Sequence, residues 1–211
     1  MKTQELKSLI RECLSEVITE MGQSDVDQNN FNPPEQEFSS AKTSRKQVPT
    51  LHRLVVKQGL AKSGDLILDF GGGKFDDATE FIESSIKGTK NLVYDPFNRD
   101  DKHNNAVLAM VDKNGGADVA LNANVLNVIK EKSNRLSVIK AIHGLLKSGG
   151  KLLISVYAAA KSKEFQQTDD FVGQKTKDGW QNAQPLDFYL EEIQQFFPNA
   201  VRKGQYIIAK K

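Results

Sequence analysis

Leu6, Leu9, Ile10, Cys13, Leu14, Val17, Ile18 and Met21 recur at three- and four-residue steps, which places them on one stripe of an amphipathic helix over residues 3–21. Lys7, Arg11, Glu12, Glu16 and Glu20 carry the opposite face, and Gly22 stops the helix. Residues 22–47 lose the pattern: the stretch is polar, contains Pro33-Pro34 and offers only Val26, Phe31 and Phe38 for burial, so a polar linker is expected. A helix on such a linker has three partners open to it, namely the body of its own chain, a second subunit or another protein.

From Val48 the texture is that of a folded domain reaching to residue 211, and the elements alternate in type. Pro49 suits a first helical position, and Leu51, Leu54, Val55 and Leu60 form the buried side of the helix that follows. Residues 65–70 (DLILDF) predict a strand, Gly71-Gly72-Gly73 a turn, and the segment through Phe81 and Ile82 a second helix. Further strands are predicted at 91–94, 118–121 and 151–157, with a helix over 133–147 whose Leu136, Ile139, Ala141, Ile142 and Leu145 face inward. Between Asp95 and Asp118 lies either a short strand or the helix-like run DKHNNAVLAMV. Uniformly apolar strands separated by helices predict an α/β fold with a mostly parallel sheet covered on both faces. Residues 158–184 form a long polar excursion of the kind that closes over a site. A helix over 185–197 and a hairpin turning at Lys203-Gly204 end the chain.

Composition narrows the function classes. A length of 211 residues suits one domain plus an appendage, and a hydrophobic share of 38% suffices for one core. No apolar run approaches the ~20 residues of a membrane-spanning helix. The first residues lack the hydrophobic block of a secretory signal. Cys13 is the single cysteine, so neither an intrachain disulfide nor a thiolate metal cluster can form. These features predict a cytoplasmic protein without membrane attachment. A net charge of +2 is too mild to argue for a nucleic-acid partner by itself.

Glycines between a strand and a helix let the backbone approach a ligand at the open, carboxyl-end crevice of a parallel sheet. A phosphate-binding loop of the P-loop type needs Lys followed by Ser or Thr, whereas Lys74 is followed by Phe75. A dinucleotide turn needs a third glycine where this chain has Asp76, whose charge would face a pyrophosphate. What remains is a ligand with a cationic or neutral group near the turn and a ribose further along: Asp69 can meet an ammonium group and Asp95 can accept both ribose hydroxyls. S-adenosylmethionine meets those demands. Each residue also has a purely architectural reading, the glycines as close packing and Asp95, before Pro96, as a turn residue.

LILDFGGGKFDDATEFI resembles the first motif of class I S-adenosylmethionine-dependent methyltransferases, and NLVYDPF resembles their ribose-binding acidic motif. ADVALNANVLNVIKEKSNRLSVIKAIHGLLKSGGKLLISVY is similar to their fourth strand, following helix and fifth strand. NVLNVI, DPF and GWQ are most similar to a small branch of that superfamily found in phage and bacterial genomes, which would place the protein in a host cytoplasm. The resemblance covers residues 48–211 and implies a Rossmann-like sheet that uses S-adenosylmethionine. It implies cofactor contacts from Asp69, Gly71, Gly72 and Gly73 at the methionine end and from Asp95, Pro96 and Phe97 at the nucleoside. Asn122, Ala123 and Val125 would lie near the adenine or the transferred methyl. The chain departs from the pattern where the motif has a glycine and this sequence has Lys74 or Phe75.

Methyl transfer from a sulfonium is an in-line displacement, so holding the acceptor aligned can supply most of the catalysis. The resemblance places Asn122 and Asn124 at the fourth strand end, where nucleobase amino-methylases carry Asp/Asn-Pro-Pro-aromatic. Those asparagines and Gln181, beside Trp180, are the candidates to orient an acceptor; capping and lid packing are their architectural readings. Cytosine C5 chemistry is excluded, because the domain has no cysteine. His52, His103 and His143 read as surface or packing histidines, His52 being the best placed as a base. Lys42, Arg45, Lys46, Lys161, Lys163, Lys175 and Lys177 make nucleic acid one candidate acceptor, although Glu164, Asp169, Asp170 and Asp178 offset them. Two alternatives to a methyltransferase stay open: a non-catalytic S-adenosylmethionine-binding scaffold that recruits a partner, and an S-adenosylmethionine lyase or hydrolase.

Overall fold

In the computed structural model, residues 45–157, 166–168, 171–176 and 179–211 are described. The helix expected over 3–21, and the linker as far as residue 44, lie outside them. In chain order the elements are α1 (Thr50–Lys57), β1 (Leu66–Phe70), α2 (Asp77–Ser85), β2 (Lys90–Tyr94), α3 (Asp101–Lys113) and β3 (Ala117–Ala123). There follow a 3-10 turn (Leu126–Val128), α4 (Lys132–Leu145), β4 (Leu146–Ser155), β5 (Gln166–Thr168), β6 (Phe171–Thr176), β7 (Gly179–Asn182), α5 (Leu186–Gln194), β8 (Val201–Lys203) and β9 (Tyr206–Lys210).

Strand β1 is buried along its whole length, as the run LILDF predicts, and pairs in parallel with β2 on one side and β3 on the other. β4 continues the parallel ladder, and the C-terminal hairpin adds β9 and β8 antiparallel, for an order β2-β1-β3-β4-β9-β8. Because side chains alternate along a strand, Leu66, Leu68 and Phe70 join the core under α3, α4 and α5, which contribute Val107, Ile139 and Tyr189. Ile67 faces the other way, into a smaller core with Leu51 and Val55 of α1 and Ile82 of α2. By the same alternation Asp69 falls on the α1/α2 face.

Between Asp95 and Asp118 the chain forms helix α3 and no strand, which leaves β2 as the sheet edge among the described residues. An open edge is a row of unpaired donors and acceptors. Here side chains take that place. Glu83 Oε1 accepts from Asn91 N at 2.9 Å, and His103 Nε2 donates to Val93 O at 2.8 Å. Asn104 closes the end by accepting from Asp95 N at 2.9 Å and donating to Asp95 O at 3.0 Å. His103 is thus an edge-capping residue, and His143 packs edge-on against Phe197 at 4.9 Å.

Two expectations change. β4 begins at Leu146 rather than Lys151, because the ladder with β3 slips between Ala117 and Val119 and the extra residues are taken up in a bulge through Gly149 and Gly150. Gly149 has φ 76°, and its amide donates to Lys211 O at 2.8 Å. The polar excursion contains a small antiparallel sheet, β5-β6-β7. Gly173 of β6 allows it to pack, since a Cβ there would lie 2.9 Å from the Trp180 ring.

Arg135 joins α4, α5 and the segment after the 3-10 turn. It is fully buried and forks onto Glu192, with Nε–Oε2 at 2.8 Å and Nη2–Oε1 at 2.6 Å, while Nη1 donates to Ile129 O and Lys130 O. Glu192→Ala leaves that guanidinium buried without its counter-charge and is expected to lower the unfolding free energy by about 3–5 kcal/mol. Urea denaturation checks this, and the Arg135→Met, Glu192→Leu pair is expected to recover part of the loss.

Candidate functional site

Asp69 is 1% exposed and next to the last residue of β1, so its carboxylate needs partners inside the protein. His52, buried on α1, supplies one: its Nε2 lies 2.8 Å from Asp69 Oδ2. His52 Nδ1 and Asp69 Oδ1 have no partner among the described residues. A buried acceptor without a match is uncommon, and Asp69 Oδ1 shares that state with the Oδ1 atoms of Asn91, Asn122 and Asn127 among the described residues. Composition-level reading missed the pair. The signal was the position of His52 next to Leu51 and three before Val55, on the inward stripe of a short helix.

The glycines turn the chain back over this carboxylate. Gly71 and Gly73 adopt φ of 83° and 80°, the left-handed region closed to most side chains. A Cβ on Gly71 would stand 2.4 Å from Val125 Cγ2, and one on Gly72 would stand 2.6 Å from Asp69 Oδ2, so both approaches require glycine. Gly71 N donates to Tyr94 O at 2.7 Å.

Asp95, at the exit of β2, closes the other side. Its Oδ2 accepts from Gly73 N at 2.8 Å and Asn98 Nδ2 at 3.0 Å, and its Oδ1 from Phe97 N at 2.9 Å and Asn98 N at 3.0 Å. Arg99 completes the clamp: its Nε donates to Gly73 O at 2.8 Å and its Nη2 pairs with Asp76 Oδ1 at 2.6 Å. Tyr94, whose pKa is raised by burial and then by Asp95 and Asp101, keeps its phenolic proton and is no base here.

Of the residues predicted from sequence, Asp69, Gly71, Gly72, Gly73, Asp95 and Val125 come together at this edge. Pro96 and Phe97 lie exposed on the loop beyond it, and Ala123 is half-buried at the end of β3. Asn122 is fully buried and donates to Phe70 O at 3.0 Å, tying β3 to β1. Asn124 is exposed at φ 61°, with its amide on Ser155 O, and Gln181 Nε2 donates to Tyr157 O, so both sit at the exit of β4. Trp180 is buried, its Nε1 on Asn182 Oδ1 at 2.7 Å and the Lys130 ammonium 4.9 Å over its ring. Asn182 in turn donates to Leu126 O and Ile129 O, fastening β7 to the NVLNVI segment. An open depression of about 260 Å3 beside the turn is lined by Lys46, Lys74, Phe75, Asp76, Asp77 and Glu80, which brings one of the basic residues of the linker to this edge.

Residues 41–200 match the sequence family described as a methyltransferase domain. A search of curated proteins finds no match. Among solved structures, the chain is similar to the Burkholderia thailandensis 1,6-didemethyltoxoflavin-N1-methyltransferase, crystallised with 1,6-didemethyltoxoflavin and S-adenosylhomocysteine. The TM-score is 0.56 and the identity 18%, over 89% of this chain and 94% of that one. An O-methyltransferase family protein from the same organism gives a TM-score of 0.49 at 18% identity over 76% of this chain, which spans only 54% of that protein. An Aquifex aeolicus methyltransferase described as SAM-dependent gives 0.46 at 13% identity, over 86% of this chain and 97% of that one.

The buried pair yields a stability prediction. His52→Leu strands the Asp69 carboxylate and is expected to cost about 3 kcal/mol. His52→Gln, which keeps a donor, is expected to cost about 1 kcal/mol. Equilibrium urea unfolding of the two variants separates the values.

Proposed function

This chain belongs to the methyltransferase-domain family, and on that premise we propose that it methylates an acceptor brought to the exits of β3 and β4, with S-adenosylmethionine held over the Gly71–Gly73 turn. The observation that carries this reading is a glycine turn set between two buried carboxylates at the carboxyl edge of a parallel sheet. At the methionine end Asp69 Oδ1 is a buried acceptor without a partner among the described residues, and Asp69, 1% exposed, receives an ammonium group as Val125, packed against Gly71, gives way. At the ribose end Asp95 fits once one of its four bonds is given up.

Bound there, the cofactor supplies an electrophilic methyl group: an acceptor lone pair takes it as the sulfur–carbon bond breaks, and the sulfur keeps the bonding pair. The contribution of the chain is placement. Asp69, fixed by His52, holds the ammonium group; Gly71 and Gly73 let the backbone come close; Asp95 orients the ribose. Asn124 and Gln181, at the exit of β4, offer polar groups to the acceptor. Asn122 acts by holding β3 against β1. Nucleic acid is one acceptor class for this edge, where Lys46 and Lys74 stand beside the turn and Asp76, Asp77 and Glu80, lining the same depression, offset them.

Titration calorimetry with S-adenosylmethionine and S-adenosylhomocysteine is expected to show binding of both. Asp95→Asn is expected to weaken S-adenosylhomocysteine about tenfold, or 1.4 kcal/mol. Labelled methyl offered with DNA, RNA, protein and small-molecule fractions is expected to be recovered in one of them. Binding without any transfer would favour the scaffold reading, and unchanged affinity in Asp95→Asn would remove the ribose assignment.

A further inference from the structure

A carboxylate has about four lone-pair positions for hydrogen bonds, and those of Asp95 are all used. Three of its donors are main-chain amides, Gly73 N, Phe97 N and Asn98 N, fixed by the turn and loop they belong to. The fourth, Asn98 Nδ2 on Oδ2 at 3.0 Å, is the one donor on a rotatable side chain, and Asn98 is only half-buried. Asp95 itself is 4% exposed, so no additional donor can reach it from solvent with the network intact. Oδ2 is the oxygen shared with Gly73, hence the one beside the glycine turn.

We propose that the Asn98 side-chain amide holds the position on Asp95 Oδ2 that a ribose hydroxyl must take, so that Asn98 sets the affinity of the site by competing with the nucleoside. This deepens the cofactor reading above and rests on it. Exchange is feasible for Asn98 and not for the other donors: a side-chain rotation moves the amide into water, where its lost bond is replaced. Freeing Oδ2 from Gly73 would instead require moving a backbone that Arg99 also clamps through Gly73 O. The competition makes ligand entry a swap of one hydrogen bond for another, which lowers affinity relative to a vacant carboxylate and favours ligands that present a hydroxyl at that point.

The sign of the expected effect is unusual, because removing a polar side chain from the site should tighten binding. By calorimetry, Asn98→Ala and Asn98→Ser are expected to bind S-adenosylhomocysteine about three- to tenfold more tightly than the unaltered protein, the net worth of one ordinary, partly solvated hydrogen bond. The gain should vanish for an analogue lacking both ribose hydroxyls. Thermal unfolding of each variant identifies any that fails to fold, and the second substitution guards against that. Equal or weaker binding by both folded variants would overturn the proposal while leaving the cofactor reading in place. The same gain with the hydroxyl-free analogue would also overturn it. No binding by the unaltered protein or by either variant would instead remove the cofactor reading, and the proposal with it.

Discussion

Gly73 is gripped from both sides by one loop: its amide by Asp95 and its carbonyl by Arg99. The geometry of the site follows from that grip. Two glycines at positive φ make the turn close to Asp69 and Val125, and such a turn has wide conformational freedom unless something outside it fixes the backbone. The loop after β2 does so, and it is itself fixed by Asn104, which bonds the main chain of Asp95 and Arg99. The cradle is therefore preorganised by side-chain to main-chain bonds together with the Gly71 N–Tyr94 O bond to β2.

That arrangement answers a structural problem. With a helix in place of a strand after Asp95, β2 is an edge, and its outward groups need partners. Glu83, His103 and Asn104 supply them, so the residues that protect the edge are continuous with those that hold the turn. On the opposite side, Asn182 and Arg135 both bond the carbonyl of Ile129, so the small antiparallel sheet and the α4–α5 pair converge on the NVLNVI segment. The exits of β3 and β4 are thus bordered by two rigid groups, one built on Asp95 and one on Asn182.

Much of this was legible in the residues. The apolar runs at 65–70, 118–121 and 151–157 and the glycine turn announce a mostly parallel sheet, as the strand order shows, and the family match agrees with the methyltransferase resemblance. What escaped had physical causes. The His52–Asp69 pair depends on which face of β1 carries Asp69, a matter of sheet register with α1 rather than of spacing in the chain. Strands β5 to β7 are three to six residues long and polar, so their alternation is too brief to read as a period. The early start of β4 comes from a bulge that local propensity does not show. Asn98 carries no motif, and its place on Asp95 appears only when donors and acceptors are counted atom by atom.

On the proposed function, the turn at Gly71–Gly73 and the carboxylates of Asp69 and Asp95 together receive a sulfonium nucleoside. A crystal structure of the protein with S-adenosylhomocysteine tests it most directly. The amino group is expected beside Asp69, the sulfur over the turn and a ribose hydroxyl on Asp95 Oδ2 with the Asn98 amide rotated away. A ligand seated elsewhere on the sheet, with His52–Asp69 and the four donors of Asp95 undisturbed, would contradict that placement.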